Sequence, residues 1–208
     1  MILILFGLSG SGKNYVGEIL KNKFDFLFYD ADEWLTTEMQ TSISNKTPFT
    51  QAMRDAFCEV IIKKTQALQT EFPNKSIVIS QALYKEVNRD QINKSFSDIL
   101  FIEVQSSTDV ILSRLRKRGN WVDENYAIQI SKNFEDATLA HQVIINEQDG
   151  DYAITSQLQS ILKLDVKKKV NPPVLALGFF SNLNSDHPLL VTHDNAITIS
   201  ASSNSPTQ

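Results

Sequence analysis

The sequence predicts an α/β fold in which a parallel five-stranded sheet carries helices on both faces. Short apolar runs alternate with segments of helical length, which is typical of a parallel sheet. The apolar runs are nearly continuous, as expected for strands that are covered on both sides. With 208 residues and 42% hydrophobic residues, the chain is long enough to bury such a core.

The elements follow from the apolar runs and from the turn residues between them. We predict strands at Ile2–Phe6, Phe26–Tyr29, Ser76–Ser80, Ile99–Val104 and Gln142–Ile145. We predict helices at Lys13–Asn22, Glu33–Met39, Gln51–Thr70, Tyr84–Lys94, Ser107–Arg116, Glu124–Asn133 and Tyr152–Leu162.

The composition narrows the classes of partner. A formal net charge of −4 argues against a nucleic-acid-binding surface. The single cysteine, Cys58, excludes an internal disulfide and suits a reducing compartment. No apolar run approaches the ~20 residues that span a bilayer, and the first run has no basic lead of the kind found in signal peptides. We therefore expect a cytoplasmic protein without nucleic-acid or membrane partners.

The stretch Gly7-Leu-Ser-Gly-Ser-Gly-Lys-Asn14 follows the first strand and leads into the first helix. This context makes a G-x-x-x-x-G-K match a phosphate-binding loop (P-loop, Walker A) of the P-loop NTPase kind. Backbone N–H groups and the positive end of the helix would hold the phosphates. A tight structural turn is the alternative. The predicted nucleotide-binding residues of the loop are Gly7, Ser9, Gly10, Ser11, Gly12, Lys13 and Asn14.

Asn14 departs from the loop pattern. Ser or Thr normally stands at this position and places a hydroxyl on Mg²⁺. An amide oxygen can also coordinate Mg²⁺, directly or through water. We therefore predict a magnesium site formed by Asn14 and Asp30.

Polar side chains follow each predicted strand, at the edge of the sheet where ligands bind in such folds. Asp30 and Asp32 come directly after the second strand, where they would hold Mg²⁺ or a substrate hydroxyl. Capping of the next helix is the alternative for both. Lys85 and Arg89 follow the third strand, and Arg54 lies in a predicted helix. A surface ion pair is the alternative for Arg54 and Arg89.

A cluster of cations ends the fifth predicted helix, from Arg114 to Arg118, and Gly119 follows it. This pattern is typical of a mobile lid, about residues 114–133, that closes over nucleotide phosphates. A solvated helix end that faces the macrodipole is the alternative.

Taken together, the ordered motifs GLSGSGKN, DAD, NKTPFTQAMRDAF, SQALYKEVNRD and SRLRKRGNW resemble the gluconate kinase family of small P-loop sugar-acid kinases. Shikimate kinases and adenylylsulfate kinases are more distantly similar. The resemblance covers about residues 1–162. It implies a nucleoside-monophosphate-kinase-like fold, a role in carbohydrate metabolism, and transfer of the γ-phosphoryl group of ATP to a hydroxyl of a sugar acid such as gluconate, with Mg²⁺.

The departures from the family keep two alternatives open. Leu35 stands about where the family has a histidine, and residues 51–53 stand where it is acidic. A site that has lost polar groups changes its selectivity for hydroxyl patterns. The alternatives are a kinase for shikimate, a nucleotide or an adenylylsulfate, and a nucleotide-binding protein with little turnover.

These observations assign a role to each candidate residue. Lys13, Asp30 and Arg118 are the predicted catalytic residues, with Asp30 orienting Mg²⁺-bound water or accepting the hydroxyl proton. Arg114 and Arg118 would close over the nucleotide. The predicted acceptor-binding residues are Asp32, Arg54, Lys85 and Arg89.

The composition changes near residue 165, so we predict a kinase domain at 1–165 and an appended segment at 166–208. Lys167–Lys169 and Asn171–Pro173 read as a charged, proline-stiffened linker, and the last residues, 202–208, as disordered. The apolar stretch Val174–Phe180 would dock on the main domain or on a second subunit in a homodimer. A flexible extension is the alternative.

Overall fold

The computed structural model describes residues 1–118, 128–129, 131–147 and 150–163, without the side chain of Arg118. A five-stranded parallel sheet confirms the predicted fold class, and its strands lie in the order β2-β3-β1-β4-β5. The strands are β1 (Ile2–Phe6), β2 (Leu27–Asp30), β3 (Ile77–Ser80), β4 (Ile99–Gln105) and β5 (His141–Ile145).

The described helices lie close to the predicted ones, with one exception. They are α1 (Lys13–Phe24), α2 (Thr37–Ser44), α3 (Gln51–Glu71), α4 (Glu86–Lys94), α5 (Thr108–Arg118) and α6 (Tyr152–Leu162). Half of the helix predicted at Glu124–Asn133 lies outside the described residues, as does the whole segment 166–208. Among the described residues, no helix has the length and apolar character needed to cross a membrane.

The exception is the predicted helix Glu33–Met39, which the structure replaces with two shorter elements. A 3₁₀ turn spans Ala31–Trp34, and the carboxylate of Asp30 caps it by accepting a hydrogen bond from the Asp32 backbone N–H at 3.0 Å. The Thr36 hydroxyl caps α2 by accepting from the Met39 N–H at 3.2 Å. Because the two caps lie six residues apart, two separate helical elements begin in this segment and one continuous helix does not form.

Two hydrophobic layers cover the sheet, one on each face. Along the central strand β1, Ile2, Ile4 and Phe6 pack with side chains of α3, whereas Leu3 and Leu5 pack with side chains of α1 and α6. All five side chains are at most 1% exposed. This burial on both faces explains why the strand is apolar at every position.

The parallel register places the ends of three strands side by side. Asp30, which ends β2, pairs with Ser80, which ends β3, and Ser80 pairs in turn with Leu5 of β1. The loop that follows β1 starts at Gly7, two residues beyond this pairing. The fold therefore gathers the phosphate-binding loop, Asp30 and Ser80 at one edge of the sheet.

Candidate active site

The loop between β1 and α1 has the backbone that a phosphate cradle requires. Gly7, Gly10 and Gly12 have φ angles of 135°, 87° and 96°, a region that residues with a Cβ rarely adopt. At Gly12 a Cβ would also lie 2.1 Å from Nδ2 of Asn146. Gly12 is the N-cap of α1, so the first N–H groups of that helix open onto the loop. A helix N-terminus of this kind binds anions.

Lys13 lies over the same loop. Its ammonium donates hydrogen bonds to the carbonyl oxygens of Gly7, at 3.1 Å, and Leu8, at 3.0 Å. The loop therefore combines the first N–H groups of α1 with a positive charge, as binding of the outer phosphates of a nucleotide requires.

Asn14 joins the ends of two strands through its side-chain amide. Its Nδ2 donates to Oδ2 of Asp30, and its Oδ1 accepts from the hydroxyl of Ser80. An ionised carboxylate can only accept, so the orientation of the amide is fixed by its two partners. Asn14, which stands where this loop normally has Ser or Thr, thus lies within one hydrogen-bonded group, Asn14–Asp30–Ser80.

Asp32 lies beside this group on the wall of the cleft. It accepts a hydrogen bond from Gln81 Nε2 at 3.0 Å. Desolvation by the surrounding protein raises the pKa of Asp32, and the negative charge of Asp30 raises it further. The charge of Lys13 and the hydrogen bond from Gln81 oppose this increase. Asp30 itself accepts from Asn14 and from the backbone of Asp32. Asp32 therefore joins Asp30, the residue that the sequence suggested, as a candidate proton acceptor.

One cavity of about 330 Å³ connects these groups. It brings the phosphate-binding loop together with Asp30, Asp32 and Arg54, as the order of the motifs predicted. Its lining includes Ser9, Gly10, Gly12, Lys13, Asn14, Asp30, Asp32, Arg54 and Ser80, and the apolar side chains of Leu35, Met39, Ile43, Phe49 and Phe57.

Arg89 does not line this cavity, which corrects the acceptor-binding role suggested by the sequence. Its side chain is fully buried, and its guanidinium lies 5.3 Å from the ring centroid of Phe6 and 5.4 Å from that of Phe134. It donates to the carbonyl oxygens of Leu83 at 2.8 Å and Glu135 at 2.6 Å. Arg89 therefore ties the segment after the predicted lid to the loop after β3.

Lys85 is likewise engaged away from the cavity. Its ammonium pairs with the Glu135 carboxylate at 2.9 Å, and the same carboxylate accepts from the Glu86 backbone N–H at 2.8 Å. Like Arg89, Lys85 therefore holds the segment around Glu135 in place, which replaces its predicted acceptor contact.

Glu86 completes the cluster around Arg89. It accepts from Arg89 Nε at 2.6 Å and from the backbone N–H groups of Thr138 and Leu139, both at 2.8 Å. Burial alone would raise the pKa of Glu86, but the hydrogen bonds from Thr138, Arg89 and Leu139 outweigh it and lower the pKa to about 2.

Replacing Glu86 with glutamine is expected to reduce stability at pH 7 by about 3 kcal/mol, because the buried Arg89 loses its counter-charge. The folded-state pKa is lower than the ordinary value of 4.5, so this stabilisation exists above that value. It disappears as the pH falls towards 2. The free energy of unfolding, measured with urea from pH 2 to 7, should therefore fall less steeply with decreasing pH in the variant than in the native protein. Glu38→Gln, at an exposed position of α2, is the control; an equal loss in both variants would contradict the role of the cluster.

Arg114 contacts the phosphate-binding loop from the side of α5. Its guanidinium donates to the carbonyl oxygen of Ser11 at 3.3 Å, to the Ser106 hydroxyl at 2.9 Å and to the Asn146 carbonyl oxygen at 3.1 Å. The base of the predicted lid is thus fastened to the loop. The side chain of Arg118 and the lid residues 119–127 and 130 lie outside the described residues.

The polar side chains at the cavity to which the sequence assigned no role include Ser80, Gln81, Tyr84 and Asn88. Ser80 is the last residue of β3, so the strand-end rule that selected Asp30 applies to it equally. Asn88 lies on α4 and is 2% exposed. Helical periodicity alone did not distinguish it from a surface residue.

The chain is similar to known kinases in sequence and in fold. The family model of shikimate kinase matches residues 9–161. A protein of Xenopus tropicalis named "Probable gluconokinase" is 28% identical over 169 residues, which cover 74% of this chain and 88% of that protein. A sugar kinase from Janibacter superposes with a TM-score of 0.67 at 19% identity, over 77% of this chain and 93% of that one. A gluconokinase from Sinorhizobium meliloti superposes with a TM-score of 0.66 at 20% identity, over 78% and 92%.

Proposed function

This chain belongs to the shikimate kinase family, and we propose that it transfers the γ-phosphoryl group of ATP to a hydroxyl group of a small sugar acid. It is a phosphotransferase with an alcohol group as acceptor. The observation that carries the proposal is the single cavity that joins the phosphate-binding loop to Asp30, Asp32 and Arg54. Donor and acceptor must meet in one site for direct transfer.

In this proposal the catalysis is positioning and charge stabilisation, as is usual for phosphoryl transfer. The loop N–H groups and Lys13 bind the β- and γ-phosphates. Asp32, whose pKa is raised, accepts the proton of the attacking hydroxyl, and Asp30 is the alternative acceptor. Arg54 faces the acid group of the acceptor, and Arg114 and Arg118 act on the nucleotide side.

The donors present suit Mg²⁺, although the described part of the chain has no group of three or more acidic, histidine or cysteine side chains that could hold a metal ion by themselves. Kinase sites hold Mg²⁺ through one or two carboxylates together with the substrate phosphates. Asp30 would hold the ion, and Asn14, whose amide oxygen accepts from Ser80, would act on it through water. When bound, Mg²⁺ neutralises charge on the transferring phosphoryl group.

Gluconate is the leading acceptor among sugar acids because similar proteins carry that name. The test is ADP release measured in a coupled assay with Mg²⁺-ATP and a panel of sugar acids, shikimate and nucleoside monophosphates. We expect a sugar acid to stimulate turnover. Stimulation by shikimate or a nucleotide alone would exclude a sugar acid, and ATP binding without any stimulation would exclude the transfer.

A second candidate function is nucleotide binding with little turnover, and the specific observation in its favour is Asn14. If the chain is a working kinase, Asn14→Ser should change kcat by less than about tenfold, because either oxygen can serve the Mg²⁺ position. The coupled assay measures this change. Asn22→Ser, an exposed substitution on α1, is the control. A large gain from near zero would instead support the binding-protein function.

Three expectations from the sequence remain proposals. The kinase domain ends near residue 165, and the segment 166–208 is a linker and extension of separate role. The protein acts in the cytoplasm. Its tail docks on the main domain or on a second subunit.

A further inference from the structure

Gln81 is the first residue after β3, at the edge of the sheet where the cavity lies. Its backbone N–H donates to the carbonyl oxygen of Leu5 in β1 at 3.0 Å. The carbonyl oxygen of the next residue, Ala82, accepts from the backbone N–H of Gly7 at 3.3 Å. The backbone around Gln81 is therefore fixed to the central strand and to the start of the phosphate-binding loop.

The side-chain amide of Gln81 has a partner for its oxygen and a partner for its nitrogen. Oε1 accepts from the backbone N–H of Ala82 at 2.5 Å, and Nε2 donates to Oδ1 of Asp32 at 3.0 Å. A backbone N–H can only donate and an ionised carboxylate can only accept, so these partners allow one orientation of the amide. The side chain thus connects the loop after β3 to the turn after β2.

The direction of the Asp32 carboxylate depends on this connection. Among the described residues, Gln81 is the one side chain that hydrogen-bonds to this carboxylate. The χ2 torsion of an aspartate has broad preferences, so a carboxylate without a partner takes several directions. The hydrogen bond uses Oδ1 and leaves Oδ2 for a ligand in the cavity, which Asp32 lines.

We infer that Gln81 is a positioning residue, which holds the Asp32 carboxylate so that its second oxygen meets the hydroxyl group of the acceptor. This inference rests on the phosphoryl transfer proposed above, and it adds a residue to the acceptor side of that site. Proton transfer requires hydrogen-bond geometry between the hydroxyl and its base, and a displacement of about 1 Å can reduce the rate about a hundredfold.

Replacing Gln81 with methionine tests the inference, because the substitution keeps the length of the side chain and removes both hydrogen bonds. In the coupled assay we expect kcat to fall about 10- to 100-fold while the KM for ATP stays unchanged. A raised KM for ATP with the native kcat would mean that Gln81 serves the phosphate-binding loop, and it would overturn the inference.

A double-mutant cycle shows whether Gln81 acts through Asp32. In the Asp32→Asn background, Gln81→Met should change kcat by less than about twofold, because the carboxylate that Gln81 orients is absent. An equal loss in both backgrounds would overturn the inference. Gln91→Met is the matched control, since Gln91 Nε2 donates to Oε1 of Glu59 at 2.8 Å away from the cavity. This control should keep the native kcat.

Nuclear magnetic resonance tests the contact without turnover. The side-chain amide signal of Gln81, identified by its loss in Gln81→Met, should move in Asp32→Asn and stay in place in Glu33→Gln. A signal that Asp32→Asn does not move would overturn the inference. If the signal moves but no acceptor stimulates the native protein, the inference holds and the proposed transfer fails. If the native protein is active and Gln81→Met keeps its kcat, the transfer holds and the inference fails.

Discussion

Replacing Lys13 with alanine is expected to weaken ATP binding by at least about a hundredfold, because a charge-assisted contact to the outer phosphates is lost. The ammonium of Lys13 lies over the phosphate-binding loop, where it bonds to Gly7 and Leu8. Titration calorimetry with ATP measures the change. A thermal melt of the variant establishes that the fold is retained.

Lys21→Ala is the matched control for this experiment. Lys21 lies on the same helix, α1, with a side chain that is 53% exposed and that pairs with Glu18. An exposed pair of this kind contributes little to stability. The control should bind ATP like the native protein. Unchanged affinity in Lys13→Ala would contradict the assignment of the phosphate-binding loop.

Replacing Asp32 with asparagine is expected to reduce kcat by about 10²- to 10⁴-fold while ATP binding is retained. The reason is that the amide cannot accept the proton of the attacking hydroxyl. In the native protein the rate should fall as the pH drops and Asp32 becomes protonated. Because the pKa of Asp32 is raised above its ordinary 3.8, this fall should begin at a higher pH than a free aspartate would give.

The pH profile of kcat/KM from pH 4 to 8 checks this prediction. The residual activity of Asp32→Asn should lack the acid limb. Glu33→Gln, at the adjacent exposed position, serves as the control. A larger loss in Asp30→Asn, with Asp32→Asn near the native rate, would return the proton-accepting role to Asp30.

The sequence predicted the central strands β1 and β3 well because burial on both faces leaves a continuous apolar run. The prediction for β1 matches the observed strand, Ile2–Phe6, at both ends. The prediction for Glu33–Met39 failed because the pattern of apolar residues does not reveal a second cap. Thr36 and Asp30 divide this segment through hydrogen bonds of their own side chains.

The residues that line the cavity were predicted less completely than the strands. The loop, Asp30, Asp32 and Arg54 were found because their places after strands or in a family motif indicate the sheet edge. The direction of Arg89 could not be predicted, since its partners Glu135 and Asp136 lie more than 45 residues further along the chain. A guanidinium that reaches carbonyl oxygens there turns away from the cavity. Local patterns carry no information on such distant contacts.

The hydrogen-bonded group Asn14–Asp30–Ser80 has a consequence for how this chain can change during evolution. Asn14 and Ser80 satisfy each other, so substitution of either residue alone leaves a polar atom at the sheet edge to find another partner. Substitutions at positions 14 and 80 are therefore coupled, and we expect relatives that differ at one of these positions to differ at the other as well. A lineage with serine at position 14 has no need to conserve the hydroxyl at position 80.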